Sequence, residues 1–278
     1  MTTLLSWVGI DTHGPASVYI ASDSRISWGS SQQWDVGRKV FASKTSPEIF
    51  GYCGNVSFPI QILGQLIELI DTGCLFEKND SHDIKLNKII KKIESSYHER
   101  PVVQRGVFHI IYATRISDRM NSVFHAYQIS SSSKGHITYE EFNFKNKSHV
   151  VVALGSGQKY FESRHDKWVG KIKEDPHDSG RSSRNVFSAF CDSLKAGEDK
   201  MSGGSPQLIG LYRVGAAKSF GVIYENNRYL NGIRLDSITS INNIEWRNIL
   251  FERCCGHTMK ILGKAQRQPK LMHIEEPN

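Results

Sequence analysis

The chain has 278 residues, 39% of them apolar and 23% charged, with a formal net charge of +7 and a sequence pI near 9.1. That balance excludes a disordered chain and allows one large domain with a buried core. No apolar run reaches the roughly 18 residues of a membrane helix, and the first residues lack the basic flank and apolar stretch of a signal peptide. A cytoplasmic protein with no membrane partner is expected.

The basic residues are spread along the chain, apart from Lys85, Lys88, Lys91, Lys92 and a basic tail. The lysine group suits the wet face of a helix, so a nucleic-acid partner is not expected. Five cysteines leave one over from any full pairing, and none forms a C-x-x-C pair. Cys254 and Cys255 with His257 lack zinc spacing. Reduced thiols, no metal and no cofactor are expected.

In chain order, apolar runs at 2–9 and 17–22 flank the turn cluster Asp11-Thr12-His13-Gly14-Pro15, which predicts a hairpin. A polar loop follows, then strands over 39–42 and 48–54. Residues 58–71 and 83–98 place apolar side chains at helical spacing. Strands return at 107–115, 122–129, 137–144 and 149–154. Helices are predicted over 157–173 and 184–196, split by the polar stretch 174–183. Two strands follow at 207–214 and 219–224, with a third at 228–235, and a short helix at 244–255 precedes a polar tail. No internal repeat is visible. Runs of strands separated by helix pairs favour α+β layers over alternating βαβ units. Two helix pairs covering two sheets make a four-layer α-β-β-α sandwich.

The first strand begins almost at the chain start, at Met1-Thr2-Thr3. Thr2 is small, so an aminopeptidase can remove Met1 and leave Thr2 first. Such a residue carries a nucleophile and a base together, its hydroxyl and its α-amine. An α-amine has a pKa of about 8, against about 10 for a lysine, and can be neutral near pH 7. This nucleophile needs a nearby cation, an anion to balance it, and N–H donors for the oxyanion. Asp23 at the end of the second strand, Lys39 at the start of the third and Gly54 at the end of the fourth are the candidates.

Thr2-Thr3-Leu4, the stretch Ile20-Ala21-Ser22-Asp23-Ser24-Arg25-Ile26-Ser27-Trp28-Gly29, Arg38-Lys39-Val40 and Gly51-Tyr52-Cys53-Gly54 together resemble the N-terminal threonine peptidases. These are the proteasome β-subunits and the bacterial HslV-type peptidase. Downstream, Gly155-Ser156-Gly157 resembles the family's G-S-G, and Asp199-Lys200-Met201-Ser202-Gly203-Gly204 resembles its D-x-x-S-G-G. The resemblance covers roughly residues 2–235 and implies a fold of the N-terminal nucleophile hydrolase type. It implies Thr2 as nucleophile, Lys39 lowering the pKa of the Thr2 system, and Asp23 salt-bridged to Lys39. Ser156, Asp199 and Ser202 would hydrogen-bond around the Thr2 amine, and Gly54 would donate to the oxyanion. Ser27 and Asn55 would line the substrate backbone, with Ile26, Tyr52 and Val56 facing an apolar specificity pocket.

By the same resemblance, residues 1–235 form the hydrolase domain and 236–278 a C-terminal helix and tail. Asn55 departs from the small residue usual after the oxyanion glycine, and the first hairpin is longer than the family's. Extra length falls in 100–147, in 174–183 and after 235. The expected assembly is a homo-oligomeric ring cutting peptides or unfolded proteins, with a possible ATP-dependent unfoldase partner. A stand-alone amidase of the same chemistry and a non-catalytic scaffold of the same fold remain as alternatives.

Overall fold

A computed structural model describes residues 2–29, 31–132, 134–172, 182–235 and 243–267. The chain opens with the hairpin β1 (Leu4–Asp11) and β2 (Gly14–Ser22), then a small exposed hairpin, β3 (Ile26–Trp28) and β4 (Gln32–Trp34). Next come β5 (Val40–Ala42), β6 (Glu48–Gly54), α1 (Pro59–Asp71) and α2 (His82–His98). Strands β7 (Phe108–Ile116), β8 (Val123–Ser131), β9 (Ile137–Glu141) and β10 (His149–Leu154) lead to α3 (Gln158–Ile172) and α4 (Ser183–Ala196). The chain continues through β11 (Gln207–Tyr212), β12 (Lys218–Tyr224), β13 (Asn227–Leu230) and β14 (Ile233–Arg234) to β15 (Trp246–Asn248) and β16 (Arg253–Cys254).

Two large sheets result. One has nine strands, running β10-β1-β2-β11-β12-β13-β14, with β15 and β16 attached beside β12. The other has five, in the order β5-β6-β7-β8-β9. Alternation along each strand sends neighbouring side chains to opposite faces. Leu5, Trp7, Tyr19, Ala21, Leu208 and Phe220 pack with Phe161 of α3 and Phe187 and Phe190 of α4. Their sequence neighbours Leu4, Val8, Ile20 and Ile209 pack instead with Val40, Ile49, Ile111 and Ala126 of the five-stranded sheet. The other face of that sheet, with Phe50, Tyr52, Phe108 and Tyr112, packs on Leu63 and Leu66 of α1 and Ile89 and Ile93 of α2. Gly51 lies against the facing sheet; a Cβ there would stand 2.6 Å from Ile20 and 2.8 Å from Leu4.

The predicted helix over 244–255 is corrected to the strands β15 and β16. Trp246 lies over Gly221, where a Cβ would come 2.4 Å from the indole, and that packing pairs β15 in parallel with β12. Asn248 then closes a turn, its Oδ1 accepting from the N–H of Leu250 and of Glu252. The loop after β2 holds the β3–β4 hairpin that was not expected, and the strand expected at 228–235 is two, turning at Asn231 and Gly232. Residues 100–147 supply β7, β8 and β9. Most of the stretch 174–183 lies outside the described residues, as do Met1, 236–242 and 268–278. No helix among the described residues is long and apolar enough to cross a membrane.

Candidate active site

The register of the nine-stranded sheet brings the candidate residues to one end. Leu4 pairs with Ser22 on one side and Leu154 on the other. Thr2 and Thr3 therefore continue between Asp23, just past β2, and Gly155-Ser156-Gly157, just past β10. Gln207 pairs with Ser22, so the Ser202-Gly203-Gly204 stretch before β11 arrives beside Asp23. Lys39 precedes β5 in the facing sheet.

Lys39 Nζ donates to Thr2 Oγ1 at 2.6 Å and to Asp23 Oδ1 at 2.9 Å, and the Lys39 and Asp23 side chains are wholly buried. Burial pushes the Lys39 amine below its ordinary pKa, and the Asp23 charge works against that shift. Asp23 Oδ1 also accepts from Thr3 N at 3.0 Å, and Oδ2 accepts from Arg25 N at 3.0 Å and Gly203 N at 2.9 Å. Four donors fill the acceptor capacity of one carboxylate, so a buried anion is held without water.

A second chain of hydrogen bonds reaches the same spot. Thr3 Oγ1 donates to Ser202 Oγ at 2.9 Å, which donates to Asp199 Oδ2 at 2.6 Å. Ser156 Oγ donates to the same Asp199 oxygen at 2.7 Å, and Met201 N caps Asp199 Oδ1. The glycines of the G-S-G element are there for close approach. Gly155 has φ +92°, and a Cβ on it would stand 1.9 Å from Thr2 O. A Cβ on Gly157 would stand 1.8 Å from Thr3 Oγ1. A side chain at either position would push residues 2 and 3 aside.

The remaining candidates spread around this centre. Gly54 ends β6 with φ +90° and no room for a Cβ against Val107 O. The Asn55 N–H is spent on Val107 O at 2.8 Å, and its Oδ1 accepts from Ser57 Oγ. Tyr52 is buried over α1 and α2 with its hydroxyl donating to Arg38 O, and Val56 is half-buried against the same cluster. Ile26 packs onto Gly37. The Ser27 Oγ is buried without a hydrogen-bond partner among the described residues.

Three contributors had no role in the sequence reading. Thr3 links the Ser202–Asp199 chain to the chain start. Arg25 grips Asp35 through two bonds of 2.7 and 2.8 Å and donates to Lys200 O, fixing the loop before β11. Gln207 is fully buried and ties the backbones of both ion-pair members. Its Oε1 accepts from Lys39 N at 3.0 Å, and its Nε2 lies 2.7 Å from Gly37 O, 2.9 Å from Ser24 Oγ and 3.2 Å from Asp23 O. The only signal for Gln207 was an amide opening an otherwise apolar strand.

No family model and no curated protein matches the sequence. Solved structures similar to this chain include the eukaryotic HslV from Trypanosoma brucei, at 13% identity and a TM-score of 0.44. That match covers 75% of this chain and 99% of the other. Another is BPH from Thiobacillus denitrificans in complex with epoxomicin, at 16% identity and a TM-score of 0.43, covering 77% of this chain and 100% of that one.

Proposed function

We propose that this chain is a threonine-type peptidase that hydrolyses peptide bonds through an acyl-enzyme ester on Thr2, after cleavage of the bond before Thr2. The observation that carries this reading is the buried contact of Lys39 Nζ with both Thr2 Oγ1 and Asp23 Oδ1. A buried ammonium beside a hydroxyl favours the alkoxide form and so makes the oxygen a better nucleophile. Once bared, the Thr2 amine takes the hydroxyl proton, and Oγ1 attacks the carbonyl carbon. The Gly54 N–H donates a hydrogen bond to the negative charge that develops on the carbonyl oxygen. The amine returns the proton to the departing amine of the substrate, and water then cleaves the ester. Lys39, Asp23, Ser156, Asp199 and Ser202 hold this arrangement, while Ile26, Ser27, Tyr52, Asn55 and Val56 shape the substrate track.

The finer architecture belongs to the same proposal. The three apolar clusters, helix on sheet, sheet on sheet and sheet on helix, support a four-layer sandwich of the N-terminal nucleophile hydrolase type. A cytoplasmic ring of identical subunits with inward-facing sites, fed by an unfolding partner, would confine such a nucleophile to extended chains.

Intact-mass measurement with a fluorogenic peptide panel tests this. The expected result is a mature chain beginning at Thr2 that cleaves peptides and is silenced by Thr2→Ala. A chain that keeps a residue before Thr2 has no free amine there, and the base in this mechanism is gone. That result would leave a non-catalytic scaffold. Turnover of small amides but of no peptide would instead point to an amidase.

A further inference from the structure

Far from Thr2, three side chains from separate elements converge on one spot. We propose that His82, His125 and Glu141 form a binding site for a divalent zinc-class metal ion. His82 opens α2, His125 lies on β8 and Glu141 ends the edge strand β9. One potential ligand atom from each lies within 4.8 Å of the others.

The hydrogen bonds hold both rings through Nδ1. His125 Nδ1 lies 2.7 Å from Glu141 Oε1. A carboxylate only accepts, so Nδ1–H donates here, and in the neutral ring Nε2 carries the lone pair. His82 Nδ1 lies 2.7 Å from Tyr127 Oη, a hydroxyl that can accept from Nδ1–H or donate to Nδ1. Each ring is held through Nδ1, and in the Nδ1–H tautomer its Nε2 can bind a metal, the arrangement typical of ligating histidines. Glu141 holds His125 through Oε1 and also faces the Tyr127 hydroxyl, so a metal would compete with these contacts for its carboxylate. Two neutral imidazoles and a carboxylate are the donor set that zinc-class ions favour, with a further position open to water.

The local charge also suits a cation. Asp83 Oδ1 stands 3.4 Å from His82 Nδ1, adding a second carboxylate beside that of Glu141. Lys85, one turn along α2, has its amine occupied by Glu48 at 2.7 Å. The N-terminus of α2 opposes a cation, but with only about half an elementary charge. The two rings are stacked, centroids 3.5 Å apart and planes at 11°, so one imidazole must turn for both lone pairs to converge. Both side chains are partly solvent-exposed, which leaves that rotation open.

This site is independent of the hydrolase reading. His125 pairs with Thr114, which pairs with Glu48, at the end of the sheet opposite Gly54. The seven residues of β6 from Glu48 to Gly54 span about 20 Å. The metal would pin the thinly covered edge strand β9 to α2 rather than take part in chemistry at Thr2.

The test is titration of metal-free, full-length chain with Zn²⁺ against a competing chromophoric chelator, with thermal melting alongside. Wild type should bind one more ion per chain than the His82→Ala/His125→Ala variant, and only wild type should gain Tm as Zn²⁺ is added. Glu141→Gln should weaken that site at least about tenfold, while His13→Ala, on a remote exposed turn, should leave it unchanged. Equal stoichiometry and equal Tm response in wild type and the double variant would overturn the proposal. If the double variant does not fold, Glu141→Gln decides it alone, and unchanged affinity there also overturns it.

Discussion

Lys39 Nζ stands 2.6 Å from Thr2 Oγ1, in a site where Thr2 is 1% exposed and Lys39 wholly buried. With water kept out, that contact is strong. Lys39→Ala should lower kcat/KM by about 10²–10³-fold or more, in line with losing a preorganised electrostatic group. Breaking a buried pair commonly costs about 3–5 kcal/mol. The cost should be smaller here because Asp23 keeps its three backbone donors from Thr3, Arg25 and Gly203. Peptidase assays with a denaturant melt check both parts; turnover equal to wild type in a folded variant removes Lys39 from the mechanism.

Thr2→Ser should retain partial activity, since hydroxyl and amine both survive and only a methyl group is lost. Thr2→Ala should retain none. Single-turnover trapping of the ester by mass spectrometry reads the nucleophile directly. If the serine variant is as inactive as the alanine one, the amine is not the base.

The pH profile of kcat/KM should be bell-shaped. The acid limb follows deprotonation of the bared amine, at about pH 8. The alkaline limb follows loss of the Lys39 proton, below the ordinary 10.5 because burial lowers its pKa. The same shift acts on stability. Between the folded pKa and 10.5 the unfolded chain holds more protons at this lysine than the folded one. Stability from this group is therefore full above the unfolded pKa and lost as pH falls through the folded one. Comparing wild type with Lys39→Met across this range isolates the contribution. An alkaline limb at or above 10.5 contradicts it.

Asp23 and Lys39 were legible in the sequence because strand-end residues of scarce chemistry stand out against apolar runs. The helix and strand periods of the core were legible for the same reason. Gln207 was not, because its importance rests on bonds to Gly37, Ser24, Asp23 and Lys39, 168 to 184 positions away. The β3–β4 hairpin was hidden because β4 is exposed along its length and shows no burial pattern. The turn at Asn231-Gly232 could have been found. Asn-Gly is the residue pair that a tight hairpin turn demands, and both residues have positive φ. The segment around Trp246 was misread because apolar spacing at 244–255 fits either period, and the edge of β12 decided it. His82, His125 and Glu141 have no ligand spacing along the chain, since three elements bring them together.

Gln207→Leu should leave the Lys39 N–H and the Gly37 and Asp23 carbonyls without this partner. Each unpaired buried group costs about 1–3 kcal/mol. Because those groups carry the ion pair, kcat should fall about 10–100-fold with KM little changed, as expected for lost positioning. The alkaline limb of the pH profile should move with it, which a purely structural loss would not produce. A variant that loses stability but keeps the wild-type kcat and pH profile shows Gln207 to be scaffolding alone.

Glu48 poses the opposite case, a buried charge away from the proposed chemistry. It is fully buried, and its carboxylate accepts from Lys85 Nζ at 2.7 Å, Tyr112 Oη at 2.7 Å and Thr114 Oγ1 at 3.0 Å. Burial raises its pKa, and Lys85 works against that rise. Lys85→Met removes the only cation bonded to it among the described residues and should cost about 3–5 kcal/mol at neutral pH. A raised folded pKa means stability that is full below the unfolded value and lost as pH rises through the folded one. The deficit of Lys85→Met against wild type should therefore shrink toward acid pH, where Glu48 takes up a proton. Lys85→Met combined with Glu48→Gln should recover most of the loss, since the remaining amide still reaches the two hydroxyls. Urea melts at neutral and acid pH measure all three. A deficit that is the same at both pH values would mean that packing of the Lys85 stem, and not its charge, holds α2 to the sheet.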